Sequence, residues 1–141
     1  MYMKNYLFVY GSLMNDEVTQ ALLQCPLMRE PAMLKGYQRV GVRGASYPGI
    51  FAKANEQVAG QVISGLTADQ WHRLDEFEGE YYSRTLVTVE LTSGEGCEAW
   101  AYVFKDDYFS LLSDEPWCNE VFKSRDMTTF VKTYAGYLTS N

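Results

Sequence analysis

The sequence predicts an α+β fold, a small mixed β-barrel with flanking helices. Three observations carry that expectation. Short β-branched and aromatic runs, bounded by glycine turns, recur along the chain. Helical spacing is confined to a stretch after Asn15, one after Thr67 and one after Asp126. The resulting order of strand, helix, strands, helix, hairpin and helices holds few βαβ units, which disfavours a doubly wound sheet.

Tyr6 to Tyr10 is an aromatic, β-branched run that stops at Gly11, the pattern of a buried strand meeting a turn. Asn15 is placed to cap a short helix, with Asp16 and Glu17 in its electropositive first turn. Val18, Ala21 and Leu22 follow at helical spacing, and Cys25-Pro26 ends the run. Met33 to Val42 reads as strand. Tyr47-Pro48-Gly49 reads as a turn before Ile50-Phe51, and Val58 to Ile63 as a further strand crossed by Gly60.

The next helix has a well-specified start. Thr67 and Gln70 stand at capping-box spacing, with Leu66 and Trp71 as a hydrophobic staple across the same cap. Gly79 is its stop. Tyr81 to Leu91 alternates, with Ser83, Thr85, Val87, Val89 and Leu91 on one face and Tyr82, Arg84 and Leu86 on the other. Ser93-Gly94-Glu95-Gly96 turns the chain into Cys97 to Phe104, with Trp100, Tyr102 and Phe104 opposite Ala99 and Ala101. Met127, Phe130, Val131, Tyr134 and Leu138 then recur on one helical face behind a candidate Asp126 cap. The segment from Asp106 to Glu120 reads as either a lid or plain surface.

The 141 residues suit one domain, residues 1–141. Aromatic content of 15% is too high for a disordered chain. The net charge of −6, with Lys and Arg scattered, argues against nucleic acid and anionic membrane as partners. No run approaches the ~20 apolar residues that span a bilayer. The first residues enter a strand-like run directly, without the pattern of a leader peptide. Cys25, Cys97 and Cys118 are odd in number and far apart, which suits neither a disulfide framework nor a thiolate metal site. Together these features point to the cytoplasm; they leave the oligomeric state open.

The chemistry narrows by subtraction. His72 is the one histidine, and it falls away from the apolar face of its helix. This argues against a Ser-His-Asp or Cys-His nucleophile and a histidine-rich metal site. There is no P-loop and no G-x-G-x-x-G run. No cofactor or metal is expected. Carboxylates, hydroxyls and backbone amides are what remain.

Glu78 is the carboxylate that stands out. On a wheel started at Trp71, Leu74 lies at about −60°, Phe77 at about −120° and Glu78 at about −20°. Glu78 thus shares the apolar arc, where a charge is costly unless it is paired or used. Pairing with Arg84 or Arg73 is the plain alternative. Asp75, at the edge of the same arc, competes for any acid–base role, whereas Glu76 and Glu80 point to solvent. A second candidate lies at Tyr10-Gly11-Ser12-Leu13. A strand that breaks at glycine before a helix leaves amides free to bind a carboxylate or a developing oxyanion, or is simply a turn. Tyr82 and Tyr102 are placed to reach the same region, or to pack with their hydroxyls satisfied.

Taken together, Phe8-Val9-Tyr10-Gly11-Ser12-Leu13 and Leu74-Asp75-Glu76-Phe77-Glu78-Gly79, followed by Tyr82 and Arg84, resemble the γ-glutamylcyclotransferase-like superfamily. The AIG2-like branch, known from plants and bacteria, is the most similar. Tyr47 to Ile50, Val58 to Val62, Ala99 to Val103, Trp117 and Met127 to Phe130 extend the likeness over nearly the whole chain. The resemblance implies a small mixed β-barrel whose Tyr10, Gly11, Ser12 and Leu13 loop binds a small γ-glutamyl substrate. It implies Glu78 as acid–base residue, with Tyr82 and Tyr102 as pocket tyrosines. The implied reaction releases 5-oxoproline from a γ-glutamyl amine or amide. The glutathione-acting branch carries asparagine where this chain has Leu13, a departure that weighs against glutathione or simple γ-glutamyl amino acids as the substrate. A non-catalytic module that binds a small ligand, or a partner-docking protein on the same fold, is the alternative.

Overall fold

The computed structural model describes residues 6–24 and 27–139, with side chains through residue 133. Its strands are β1 (Leu7–Val9), β2 (Met28–Gly41), β3 (Pro48–Ser64), β4 (Tyr82–Leu91) and β5 (Gly96–Phe104). They close into a barrel in the order β1-β3-β2-β4-β5. Every pair is antiparallel except β1 with β5, which run parallel and meet at Leu7 and Trp100. The mixed barrel read from the sequence is what the chain forms. The helices are α1 (Asp16–Leu23), α2 (Ala68–Glu78), α3 (Asn119–Val121) and α4 (Met127–Thr139).

Period-two alternation divides the barrel's side chains into two cores. Phe8, Leu34, Ile50, Val58, Val87, Val89, Ala99 and Ala101 fill the interior. Leu7, Val9, Ile63, Tyr82, Tyr102 and Phe104 point outward and pack with Leu22 of α1, Leu74 of α2, Phe122 and Phe130. The small Ala99 and Ala101 leave room inside for larger rings, as their placement opposite Trp100 and Tyr102 anticipates. Gly60 is required by close approach. A Cβ there would overlap the Val9 carbonyl oxygen and would separate β1 from β3.

Several local readings need correction. Residues 48–64 are one strand rather than two, and Pro48 opens it instead of turning before it. The two pieces read from the sequence are its two paired halves. Between them the register shifts: Lys35 pairs with Gln57 but Tyr37 with Ala52, so residues 53–56 bulge opposite Gly36. Asn15 occupies the N-cap of α1, but its side chain makes no cap bond. It instead donates to the Ser12 carbonyl and to Asn119 Oδ1, each at 3.0 Å. Asp126 is no cap either. The last helix begins at Asn119 and runs through a π-helical turn, Phe122–Asp126, into α4. The Cys25-Pro26 stop lies outside the described residues, as do the side chains of Tyr134 and Leu138.

The segment after β5 is fastened down. Leu112 bridges to Val42, the Ser113 N–H donates to the Gly41 carbonyl at 2.8 Å and Trp117 Nε1 donates to the Ser46 carbonyl at 2.8 Å. It braces the β2–β3 turn, a surface strap rather than a lid.

Candidate functional site

At one end of β1 the chain leaves the barrel through Tyr10 and Gly11 into a 3-10 turn, Ser12–Met14. Gly11 is packed hard on Pro48, since a Cβ there would lie 2.8 Å from both Cγ and Cδ of that ring. Pro48 is itself fixed, because the Tyr82 hydroxyl donates to its carbonyl at 2.8 Å. The turn's carbonyls are engaged by donors, but the amides of Gly11, Ser12 and Leu13 have no hydrogen-bond partner among the described residues. Successive free amides of this kind form an anion- or oxyanion-binding concavity.

The opposite wall comes from α2. Thr67 Oγ1 accepts from the Gln70 N–H at 3.2 Å, and Gln70 Oε1 accepts from the Thr67 N–H at 2.9 Å, so the capping box forms in full. This fixes the helix start and with it the rotation of the helix. Leu74 is wholly buried. At the far end Gly79 adopts φ 76°, the left-handed region that stops the helix one residue beyond Glu78.

Glu78 therefore reaches a small recess of about 60 Å³. Tyr10, Gly11, Ser12, Leu13, Glu78, Tyr82 and Tyr102 all line it. The structure thus brings together every site residue read from the sequence. It adds Phe8, Val9, Tyr47, Pro48 and Phe77, which that reading left out of the pocket. Phe77 and Phe8 were legible as apolar, but only the fold shows that their rings border the recess. Among the described residues, no group of His, Cys, Asp and Glu is arranged to hold a metal ion. Among them too, no helix is long and apolar enough to cross a membrane.

Two carboxylates three residues apart on α2 have different surroundings. Asp75 is exposed, accepts the Tyr102 hydroxyl at 2.7 Å and lies 3.7 Å from Arg84 Nη2. Arg84 in turn sits between the rings of Trp71 and Trp100, at 4.8 and 5.5 Å from their centroids. Glu78 is half-buried and has no ion pair or hydrogen bond among the described residues. The sequence's plain alternative, a pairing with Arg84 or Arg73, is not what forms. Desolvation, reinforced by the nearby negative charge of Asp75, pushes the Glu78 carboxyl up to about 8. Glu76 and Glu80 lie at the surface beside His72 and Tyr108.

The tyrosines are held as well. Tyr10 donates its hydroxyl to the Tyr102 carbonyl at 2.6 Å. Burial, with Glu78 adding to it, raises the Tyr10 phenol well above its ordinary value. Burial and the hydrogen bond to Asp75 raise that of Tyr102. Both phenols stay protonated and act as hydrogen-bond donors. The recess therefore combines a carboxyl group poised near neutrality, an apolar ring lining and a row of free amides.

The comparisons with known proteins agree with this geometry. The family profile described as Gamma-glutamyl cyclotransferase, AIG2-like, matches residues 7–119. AIG2-like protein C of Arabidopsis thaliana is 36% identical over 133 residues, covering 94% of this chain and 77% of that protein. AIG2-like protein D from the same plant is 38% identical over 128 residues, covering 89% and 83%. An Arabidopsis thaliana protein solved in solution is 29% identical with a TM-score of 0.71, over 98% of this chain and 84% of that one. A solved gamma-glutamyl cyclotransferase, 16% identical, shares the fold with a TM-score of 0.64 over 92% and 85%. By its matched profile, its relatives and its barrel, this chain belongs to the gamma-glutamyl cyclotransferase, AIG2-like family.

Proposed function

We propose that this protein is a cyclising enzyme that releases 5-oxoproline from a γ-glutamyl amine or amide, with Glu78 as general base and then general acid. The observation that supports this most is the unpaired Glu78 carboxyl in the same recess as three unpaired backbone amides.

In a γ-glutamyl compound the attacking α-amine and the γ-carbonyl belong to one molecule. No enzyme nucleophile is needed, and a folded conformer held in place reacts with a large effective molarity. The α-nitrogen bonds to the γ-carbon, and the bond from that carbon to the leaving nitrogen breaks. Two protons leave the α-ammonium and both end on the released amine. Glu78 takes protons from the first nitrogen and hands them to the second, a contribution of about 10²–10⁴-fold. The Gly11 to Leu13 amides carry the charge that develops on the carbonyl oxygen. Leu13 presents an aliphatic side chain where the glutathione-acting pattern has asparagine, which favours another leaving amine.

Mass spectrometry of 5-oxoproline release from a γ-glutamyl library, with Glu78→Gln as control, tests the reading. A substrate turned over by the wild type and spared by the variant is the expected result. Equal turnover by both overturns the role of Glu78. Calorimetric binding without product across the library favours the non-catalytic binding module.

A further inference from the structure

The free amides of the Tyr10–Leu13 loop need their direction fixed, and β2 supplies the means. Arg39 Nη1 donates to the Tyr10 carbonyl at 2.7 Å and to the Ala59 carbonyl at 3.3 Å. Its guanidinium lies 5.4 Å above the Trp117 ring, which the strap after β5 holds in place. Arg29 lies at the opposite, N-terminal end of β2, its side chain only 14% exposed. It donates to the Leu13 carbonyl at 2.8 Å, Gln61 Oε1 at 2.9 Å, Thr19 Oγ1 at 2.7 Å and Asp16 Oδ1 at 2.7 Å. One side chain thus ties the loop to α1 and β3 together.

A trans peptide is planar, so pinning one carbonyl fixes the next N–H in the opposite direction. Arg39 on the Tyr10 carbonyl turns the Gly11 N–H away from the barrel wall. Asn15 Nδ2 on the Ser12 carbonyl does the same for the Leu13 N–H. Arg29 on the Leu13 carbonyl orients the Met14 N–H, which donates to the Gly11 carbonyl at 2.9 Å and so sets the Ser12 N–H. All four carbonyls of the loop are held, so each of the three free amides has a fixed direction.

We infer that Arg29 and Arg39 are positioning residues, a pair of guanidinium groups that grip both ends of the Tyr10–Leu13 loop and pre-aim its amides at the recess. The inference rests on the proposed reaction for its kinetic consequence and on geometry alone for the loop itself. Arg29 uses three nitrogens of its planar fork to reach four acceptors on three elements, and Arg39 spans the Tyr10 and Ala59 carbonyls while its plane lies over Trp117. Lysine keeps the charge but offers a single point of attachment.

The test compares Arg29→Lys and Arg39→Lys in the full chain by two readouts. The first is the NMR signal and hydrogen exchange of the Gly11, Ser12 and Leu13 amides, which needs no substrate. Shifted signals and faster exchange at those amides are expected, with the barrel amides unchanged. The second is kinetics on a γ-glutamyl substrate verified with wild type. The expectation is a kcat loss on the order of 10–100-fold. The pH midpoint should stay where wild type has it, since neither variant touches Glu78. Unaltered loop amides in folded variants overturn the inference, as does a kcat loss matched by the unfolded fraction. If Arg29→Lys does not fold, Arg39→Lys at the other end of the loop decides. If no γ-glutamyl compound is turned over, the proposed reaction fails while the amide readout still decides the grip.

Discussion

The two walls of the recess are incomplete in opposite senses. The α2 wall carries Glu78, a proton acceptor with no donor among the described residues, while the loop wall carries the Gly11, Ser12 and Leu13 amides, donors with no acceptor. Elsewhere the same groups are satisfied: Asp75 has Tyr102 and Arg84, and the loop's carbonyls have Arg29, Arg39, Asn15 and Met14. Polar groups left without a protein partner in one recess suit a ligand that supplies the missing partners, as the proposed substrate would. That ligand must bring a cation or donor to one wall and a carbonyl or carboxylate to the other. An amino-acid-like molecule with a second carbonyl does both.

Removing the acceptor wall's charge has the largest expected effect. Glu78→Gln should keep the fold and lower kcat by about 10²–10⁴-fold, read as 5-oxoproline release. In wild type, kcat/KM should rise with pH and level off above about 8, the value at which the free carboxyl ionises. A substrate ammonium beside it lowers that midpoint in kcat.

The same carboxyl predicts a stability trend of unusual sign. Its ordinary value is 4.5 and its folded value about 8, so between those limits the folded chain binds the extra proton. Stability should fall as pH rises through that window. Glu78→Gln removes the penalty. The variant should gain on the order of 2 kcal/mol over wild type at pH 9 and nothing at pH 4, by denaturant unfolding. Equal stability at both pH values would mean that Glu78 is not desolvated.

Disturbing the donor wall comes next. Gly11→Ala drives a methyl into the rigid Pro48 ring, so the loop must move. A kcat loss on the order of 10–100-fold is expected, with little change in the pH midpoint. Tyr82→Phe frees the Pro48 carbonyl that supports this contact and should cost about 1 kcal/mol of stability. Thr67→Ala removes half of the α2 capping box and should also cost about 1 kcal/mol, with a smaller effect on turnover than Gly11→Ala because Leu74 still anchors the helix.

What the sequence displayed of this arrangement was local. The α2 cap, the rotation of Glu78 onto the apolar arc, the stop at Gly79 and the faces of β4 and β5 all follow from neighbours within a turn or a pleat. Those features hold in the structure. Misreadings arose where long-range contacts override the local pattern. Pro48 looks like a turn residue, yet it opens β3 because Gly11 packs against its ring and Tyr82 binds its carbonyl. The start of the last helix at Asn119 was hidden because the π-helical turn shifts the periodicity before Met127. Asn15 looked like a helix cap, but Asn119, far along the chain, claims its side chain. Arg29 and Arg39 carry no local signal, since their acceptors lie on other elements. The seven candidate site residues share one recess, and they could be proposed from the sequence because a resemblance joined the Phe8–Leu13 and Leu74–Arg84 segments and extended to the strand of Tyr102. The lining by Phe8, Val9, Tyr47, Pro48 and Phe77 came from the fold.

β1 has a further consequence for how the protein comes into being. It is three residues long and closes the barrel between β3 and β5, neither of which is near it in the chain. The Tyr10–Leu13 loop hangs directly from it. Pairings between distant segments form slowly, after local hairpins such as β4–β5. A chain still lacking this last stave has its hairpins and α2, but no loop wall. Maturation of the site and sealing of the barrel are one event, so partially folded copies carry Glu78 without the partner wall that would give it work.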